Sequence, residues 1–326
     1  MFNLKVLLRV DANSKVGLAH AVRLKKLISN LPFSFDLSIF GSDERVLESF
    51  FPEARFLKVD NLKCSTDFHF VVSDCIVRND IFWQEWLPKR RPILIVIDDY
   101  GGDLPADLIL NGTVIDSNHK YTGTKKGCQI LCGPEYALID TSYSKNLWSK
   151  NHDLGNHLIV VIGSGERAAQ WAFKIVKDLQ LNNLFQTINI IVGSAFKEFE
   201  ALKLLASKKD IKAEMSVTSD YLASLLSECS ISLITGGMIL YEALAVGIPT
   251  IVFPQEQNLI EEANWFERQD CVVNLGYNGG MDMHLVACEL ESLIVNEVKL
   301  DKMSRNSISI IDGRGMKRAA SAIEAF

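Results

Sequence analysis

Short apolar runs alternate with amphipathic stretches along almost the whole chain. KVLLRV near the amino terminus is followed by helical periodicity from about Gly17 to Asn30, then FDLSIF, a helix around Glu44 to Phe51, FHFVVSD, a helix near Ile81 to Leu87, PILIVIDD and ADLILN. Runs this short and this apolar suit strands buried on both faces, and their alternation with helices predicts a parallel, doubly wound sheet. The chain turns polar between Thr113 and Lys126, and after QILCGPEYALID it enters SYSKNLWSKNHDLGNH, where a linker is expected. The pattern then begins again: HLIVVIGSGE, a helix from Ala168 to Leu179, TINIIVG, a helix from Phe196 to Ser207, AEMSV, SDYLASLLSEC and SISLITGG. Two α/β domains are therefore expected, residues 1–145 and 156–326, with DGRGMKRAASAIEAF as a basic turn and terminal helix of the second. Two Rossmann-like sheets facing a cleft would bring their strand-to-helix loops together at the carboxyl ends of the strands.

Composition changes this picture little. With 326 residues, 48% hydrophobic and 23% charged, the chain has ordinary globular values and length enough for two cores. A net charge of −6 argues against a nucleic-acid partner. The first apolar run stops at Arg9 and Asp11, too soon for a signal segment or an integral membrane span, so a cytoplasmic location is expected. Seven scattered cysteines suit a reducing compartment. Cys128 and Cys132 lack a second Cys or His pair at zinc spacing, and Asp98-Asp99 lacks a third carboxylate. Neither is expected to hold a metal, and no cofactor is expected.

The densest local signal is ITGGMILYEALAVGIPTIVFP, which reads as strand, glycine turn, helix and strand. Gly236 and Gly237 permit backbone angles closed to other residues and let a ligand approach the main chain. The amides at the start of the following helix, from Met238, have no partner within it and favour an anion over the turn. Glu242, about one turn further in, is placed to accept hydrogen bonds from the hydroxyls of a ribose. A tight connection with a core-facing helix is the alternative reading.

Taken in order, the loops resemble the UDP-2,4-diacetamido-2,4,6-trideoxy-β-L-altropyranose hydrolases of the pseudaminic acid pathway, over nearly the whole chain. Arg9-Val10-Asp11-Ala12-Asn13, then Val16-Gly17-Leu18-Ala19-His20 and Arg23, match that family's RxDAS…IGxGHxxR. Cys132-Gly133-Pro134-Glu135-Tyr136-Ala137-Leu138 matches CGxxYALL, the glycine turn through Glu242 to Pro249 matches AGGxxxxEAxxxGxP, Glu256-Gln257 stands for NQ, and Asp312-Gly313-Arg314-Gly315 to Arg318 matches DGxGxxR. Departures are Ala19 for a glycine, Asp74-Cys75-Ile76 for DHY and Gly163-Ser164-Gly165-Glu166 for GGxD. The resemblance implies a fold of the two-domain GT-B glycosyltransferase type and chemistry on a UDP-sugar.

It also implies roles. His20 would be the general base, with Asp11 its natural partner, in a metal-independent attack of water on the anomeric carbon that displaces UDP with inversion. Gly236, Gly237 and Met238 would hold the pyrophosphate, Glu242 the ribose, and Gly17, Arg23, Tyr136, Glu256 and Gln257 would contact substrate. Arg9 and Arg23 could instead pair with nearby acids, Gln257 could be an exposed loop amide, and Tyr136 and Glu166 could be a packing aromatic and a helix-start acid. A glycosyltransferase with a UDP-sugar donor and a non-catalytic nucleotide-sugar binding homologue are the alternatives to a hydrolase.

Overall fold

In the computed structural model the chain divides into two compact units, residues 1–138 with 314–326 and residues 139–313. The structure describes residues 4–12, 18–64, 68–75, 78, 80–90, 92–145, 147–148, 156–163, 166–178, 184–194, 196–208, 211–255, 257–277 and 282–326.

The first unit is built on strands β1 (Leu4–Asp11), β2 (Phe35–Ser42), β3 (Arg55–Phe56), β4 (Phe70–Asp74), β5 (Ile93–Ile97), β7 (Leu108–Asn111) and β9 (Gln129–Cys132). They pair in the order β3-β2-β1-β4-β5-β7-β9, parallel throughout. Two short strands, β6 (Gly102–Asp103) and β8 (Tyr121–Thr122), pair separately. Every residue of β4 and β7 is buried, which is why FVVSD and LILN read as apolar runs, with polar residues only at their carboxyl ends, Ser73-Asp74 and Asn111. The helices are α1 (Ala19–Ser29), α2 (Glu44–Phe50) and α3 (Val59–Cys64). The helix expected near Ile81 to Leu87 is a π-helical turn, Phe82–Trp86, running into a 3-10 turn at Leu87–Lys89, with Phe82 and Trp86 stacked in the core at 5.3 Å between centroids.

Strand register places the chemistry. Val10 pairs with Asp74 and Ser73 with Val96, so Asp11, Asp74 and the Asp98-Asp99 pair that follows β5 all stand at the carboxyl end of one sheet.

The second unit has a six-stranded parallel sheet in the order β12-β11-β10-β13-β14-β15. These are β10 (His157–Ile162), β11 (Thr187–Val192), β12 (Lys212–Met215), β13 (Ile231–Ile234), β14 (Thr250–Val252) and β15 (Val272–Asn274). Its helices are α4 (Glu166–Lys177), α5 (Phe199–Ser207), α6 (Ser219–Glu228), α7 (Met238–Val246), α8 (Ile260–Arg268), α9 (Met283–Ile294) and α10 (Glu297–Ile310). Residues Leu240 to Val246 of α7 are all buried, as an apolar helix without a polar face requires.

The terminal helix, α11 (Gly315–Glu324), corrects the sequence expectation that it belongs to the second domain. Met316, Ala319 and Ile323 lie in the first unit's core with Leu24, Leu27 and Leu138. Gly315 makes the docking possible: a Cβ there would stand 2.2 Å from the Ala137 carbonyl oxygen. Arg318 Nη1 donates to the Glu135 carbonyl at 2.8 Å. The CGxxYALL and DGxGxxR segments thus meet as a packing junction. In it the Tyr136 backbone lies close to Gly112 and Gly315.

Candidate functional site

In the first unit, His20 is the second residue of α1 and its side chain is 12% exposed. Its Nδ1 lies 2.6 Å from Asp74 Oδ1. Asp11 was the expected partner, and the register explains the difference: Asp11 turns its carboxylate to Arg9 Nη1 at 2.8 Å and to the Ser42 amide at 3.1 Å, whereas Asp74 ends the neighbouring strand with its side chain 1% exposed. Arg9, stacked over Phe40, also donates to Asp80 at 2.5 Å.

Arg23, one turn beyond His20 on the buried face of α1, meets two carboxylates. Its Nε and Nη2 donate to Asp74 Oδ2 and Oδ1 at 2.8 and 2.7 Å, and its Nη1 and Nη2 to Asp99 Oδ1 and Oδ2 at 2.9 Å each. Burial alone would raise the Asp74 carboxyl; the Arg23 charge and hydrogen bonds, with His20, outweigh it and hold Asp74 below the ordinary carboxylate range. For Arg23 burial works downward and the two aspartates outweigh it, so it stays charged.

Asp98 does what a turn-capping residue does: its Oδ2 accepts from the Tyr100 and Gly101 amides at 3.0 and 2.6 Å and from the Tyr121 hydroxyl at 2.9 Å, while Oδ1 takes Arg78. Among the described residues no group of three His, Cys, Asp or Glu stands where a metal ion could be held. Sequence reasoning gave Asp74 no role. Its signal was present, however: a carboxylate closing a buried strand must find a buried partner.

In the second unit, Gly236 and Gly237 have φ of +86° and +78° and form the turn from β13 into α7. A Cβ on Gly237 would meet nothing within 4 Å, and as the N-cap residue this glycine has no side chain to cap the start of α7. The first amides of α7 follow this turn at the positive end of a helix, the arrangement that receives an anion. The adjoining Gly163, after β10, lies near Gln255, after β14: a Cβ on it would be 3.7 Å from Gln255 Oε1.

Glu242 is 9% exposed, on a helix otherwise apolar. The buried Tyr143 hydroxyl hydrogen-bonds both Glu242 and Ser219; its burial first, then the Glu242 charge, push the phenol far above its ordinary range. Gln257 is exposed on the 3-10 turn Gln257–Leu259. Gly17 and Glu256 lie outside the described residues, as does the side chain of Glu166.

No family model matches the chain. A curated relative, the spore coat polysaccharide biosynthesis protein SpsG of Bacillus subtilis, is 22% identical over 227 residues, 67% of this chain and 65% of that protein, so the match spans just under two thirds of the relative. Among solved structures, a Listeria monocytogenes protein assigned as a UDP-N-acetylglucosamine 2-epimerase superposes with TM-score 0.66 and 12% identity, over 99% of this chain and 96% of that one. A glycosyltransferase from Rickettsia africae superposes with TM-score 0.62 and 10% identity, over 99% and 97%. The protein has two parallel-sheet Rossmann-like domains of the GT-B type. Among the described residues no helix is long and apolar enough to cross a membrane.

Proposed function

We propose that the protein hydrolyses a UDP-linked diacetamido-trideoxyhexose to free sugar and UDP, as a step in the biosynthesis of a surface polysaccharide or a nonulosonic acid of the pseudaminic type. The observation that carries this reading is the His20 imidazole held at Nδ1 by the buried carboxylate of Asp74. An ionised carboxylate only accepts, so Nδ1 carries the hydrogen of the neutral ring and Nε2 is left with a lone pair. That is the form a general base needs.

Water loses its proton to Nε2 as its oxygen bonds the anomeric carbon and the bond to the UDP oxygen breaks, with inversion. The second unit supplies the nucleotide grip: α7 amides at the pyrophosphate, Glu242 at the ribose hydroxyls, backbone dipoles in place of a metal. The names of the relative and of the structural neighbours support a nucleotide-sugar substrate and a role in polysaccharide synthesis.

Transfer of the sugar to an acceptor hydroxyl is the second reading, supported by the glycosyltransferase among the fold neighbours. A panel of UDP-sugars, assayed for UDP release in labelled water with and without acceptors, tests both. Hydrolysis gives equal sugar and UDP with label on the anomeric carbon. UDP release only with acceptor makes the protein a transferase, and label on phosphate means that the phosphorus–oxygen bond is cut.

A further inference from the structure

We infer that Arg23 is a positioning residue for His20, keeping the Asp74 carboxylate ionised and aimed at Nδ1, rather than a substrate contact. The inference rests on the reading of His20 as a base, but the tautomer it predicts is a property of the free protein and is measured without turnover.

The geometry accounts for the guanidinium almost completely. Four of its five N–H groups are used, two in a side-on fork to Asp74 and two end-on to Asp99. Its side chain is 9% exposed and lies on the face of α1 that packs with Ala21, Leu24 and Leu27. With one Nη1 N–H left over, a substrate phosphate could gain at most a single hydrogen bond without displacing one of the two carboxylates, and displacing one would strand a charge in a desolvated site.

Asp74 Oδ1 is shared, accepting from Arg23 Nη2 at 2.7 Å while it faces His20 Nδ1 at 2.6 Å. The fork therefore fixes the plane of the carboxylate that meets the imidazole. Arg23 also decides which group carries the hydrogen. Without the cation the buried Asp74 carboxyl would take up a proton, and its O–H would donate to Nδ1. The ring hydrogen would then sit on Nε2, and the lone pair that accepts a proton from water would be gone. Lysine cannot replace the function fully, since an ammonium offers no planar fork to hold two carboxylates.

Asp99 adds a charge argument. With a neutral imidazole, Asp74, Asp99 and Arg23 carry one net negative charge between them, and a proton arriving on His20 cancels it.

The full-length chain labelled with 15N at histidine, with His20 assigned by loss of its signals in His20→Asn, reports the tautomer through long-range proton–nitrogen correlations. Native His20, when neutral, is expected as the Nδ1–H form. Asp99→Asn, which leaves the fork to Asp74 in place, should keep that form, Arg23→Met should move the ring to Nε2–H, and Arg23→Lys should retain more of the native form than Arg23→Met.

A native Nε2–H ring, or an unchanged tautomer in Arg23→Met, overturns the inference. Should Arg23→Met fail to fold, Arg23→Lys decides it: a larger share of the Nε2–H form than in the native chain supports the inference, and a tautomer ratio equal to the native one overturns it. With a turned-over UDP-sugar, a folded Arg23→Met should lower kcat roughly 100-fold or more, in the range of lost general-base catalysis, with KM nearly unchanged. A raised KM at native kcat would instead make Arg23 a substrate ligand. If the tautomer behaves as expected and no UDP-sugar is hydrolysed, the hydrolase reading fails and the positioning role of Arg23 stands.

Discussion

The buried Tyr143 hydroxyl hydrogen-bonds the Glu242 carboxylate inside the second unit. A carboxylate 9% exposed and oriented by a phenol is not a solvated helix-face acid.

Glu242→Ala should therefore weaken UDP binding by about 1.5–3 kcal/mol, roughly 10- to 150-fold, the worth of hydrogen bonds to a charged group. Tyr143→Phe, which leaves the carboxylate but removes its donor, should cost about 0.5–1.5 kcal/mol. Titration calorimetry with UDP measures both, and native affinity in Glu242→Ala would remove the residue from the site.

His20→Asn should lower turnover of a UDP-sugar roughly 100- to 10,000-fold while UDP affinity, assigned to the second unit, stays near native. Steady-state kinetics beside UDP binding reads the separation. Equal losses in both would tie His20 to nucleotide binding instead of proton transfer.

Acid stability should follow Asp74 and Asp11. For each, burial works upward and the arginine beside it, Arg23 or Arg9, outweighs it, so both carboxyls sit below their ordinary value in the folded state. Their contribution is complete above the unfolded carboxyl pKa of about 4 and is lost as pH falls through the lower folded values. Thermal unfolding followed across that window should steepen in the native protein, and Asp11→Asn should flatten part of the slope. A slope unchanged by Asp11→Asn would remove that ion pair from the acid response.

Gly315→Val should destabilise the first unit by about 1–3 kcal/mol or more, because the added side chain meets the Ala137 carbonyl in a packed junction. Denaturant unfolding measures the loss, and calorimetry should find UDP affinity retained wherever the protein remains folded. A neutral substitution would mean that α11 does not dock as described.

Thiol labelling separates the cysteines by environment. Burial pushes Cys229 up to about 12 and Cys271 up to about 11, with Glu228 and Asp270 adding to the effect, so neither offers much thiolate near neutral pH. Among the cysteines whose side chains the structure describes, Cys288 is the exposed one and should be modified before the others, with Cys229 and Cys271 reacting only on unfolding. Mass spectrometry of the labelled peptides gives the order, and rapid labelling of Cys229 in the folded protein would contradict its burial.

Structure that lies within a single stretch of chain is legible in the residues of that stretch. Apolar runs flanked by amphipathic periods specify strands and helices, because burial on both faces of a parallel sheet leaves no polar alternation to misread. The Gly236-Gly237 turn and the apolar α7 behind it were legible for the same reason, since backbone angles and local polarity carry the signal. Which partners meet across the fold depends on how the strands and helices pack. His20 takes Asp74, 54 residues away, because strand register sets β4 beside β1 and Arg9 occupies the nearer Asp11. The terminal helix returns to the first unit because Gly315 lets its backbone close on Ala137 and its apolar face completes that unit's core. Such choices depend on which surfaces remain to be buried once the sheets have formed, and no local pattern contains that competition.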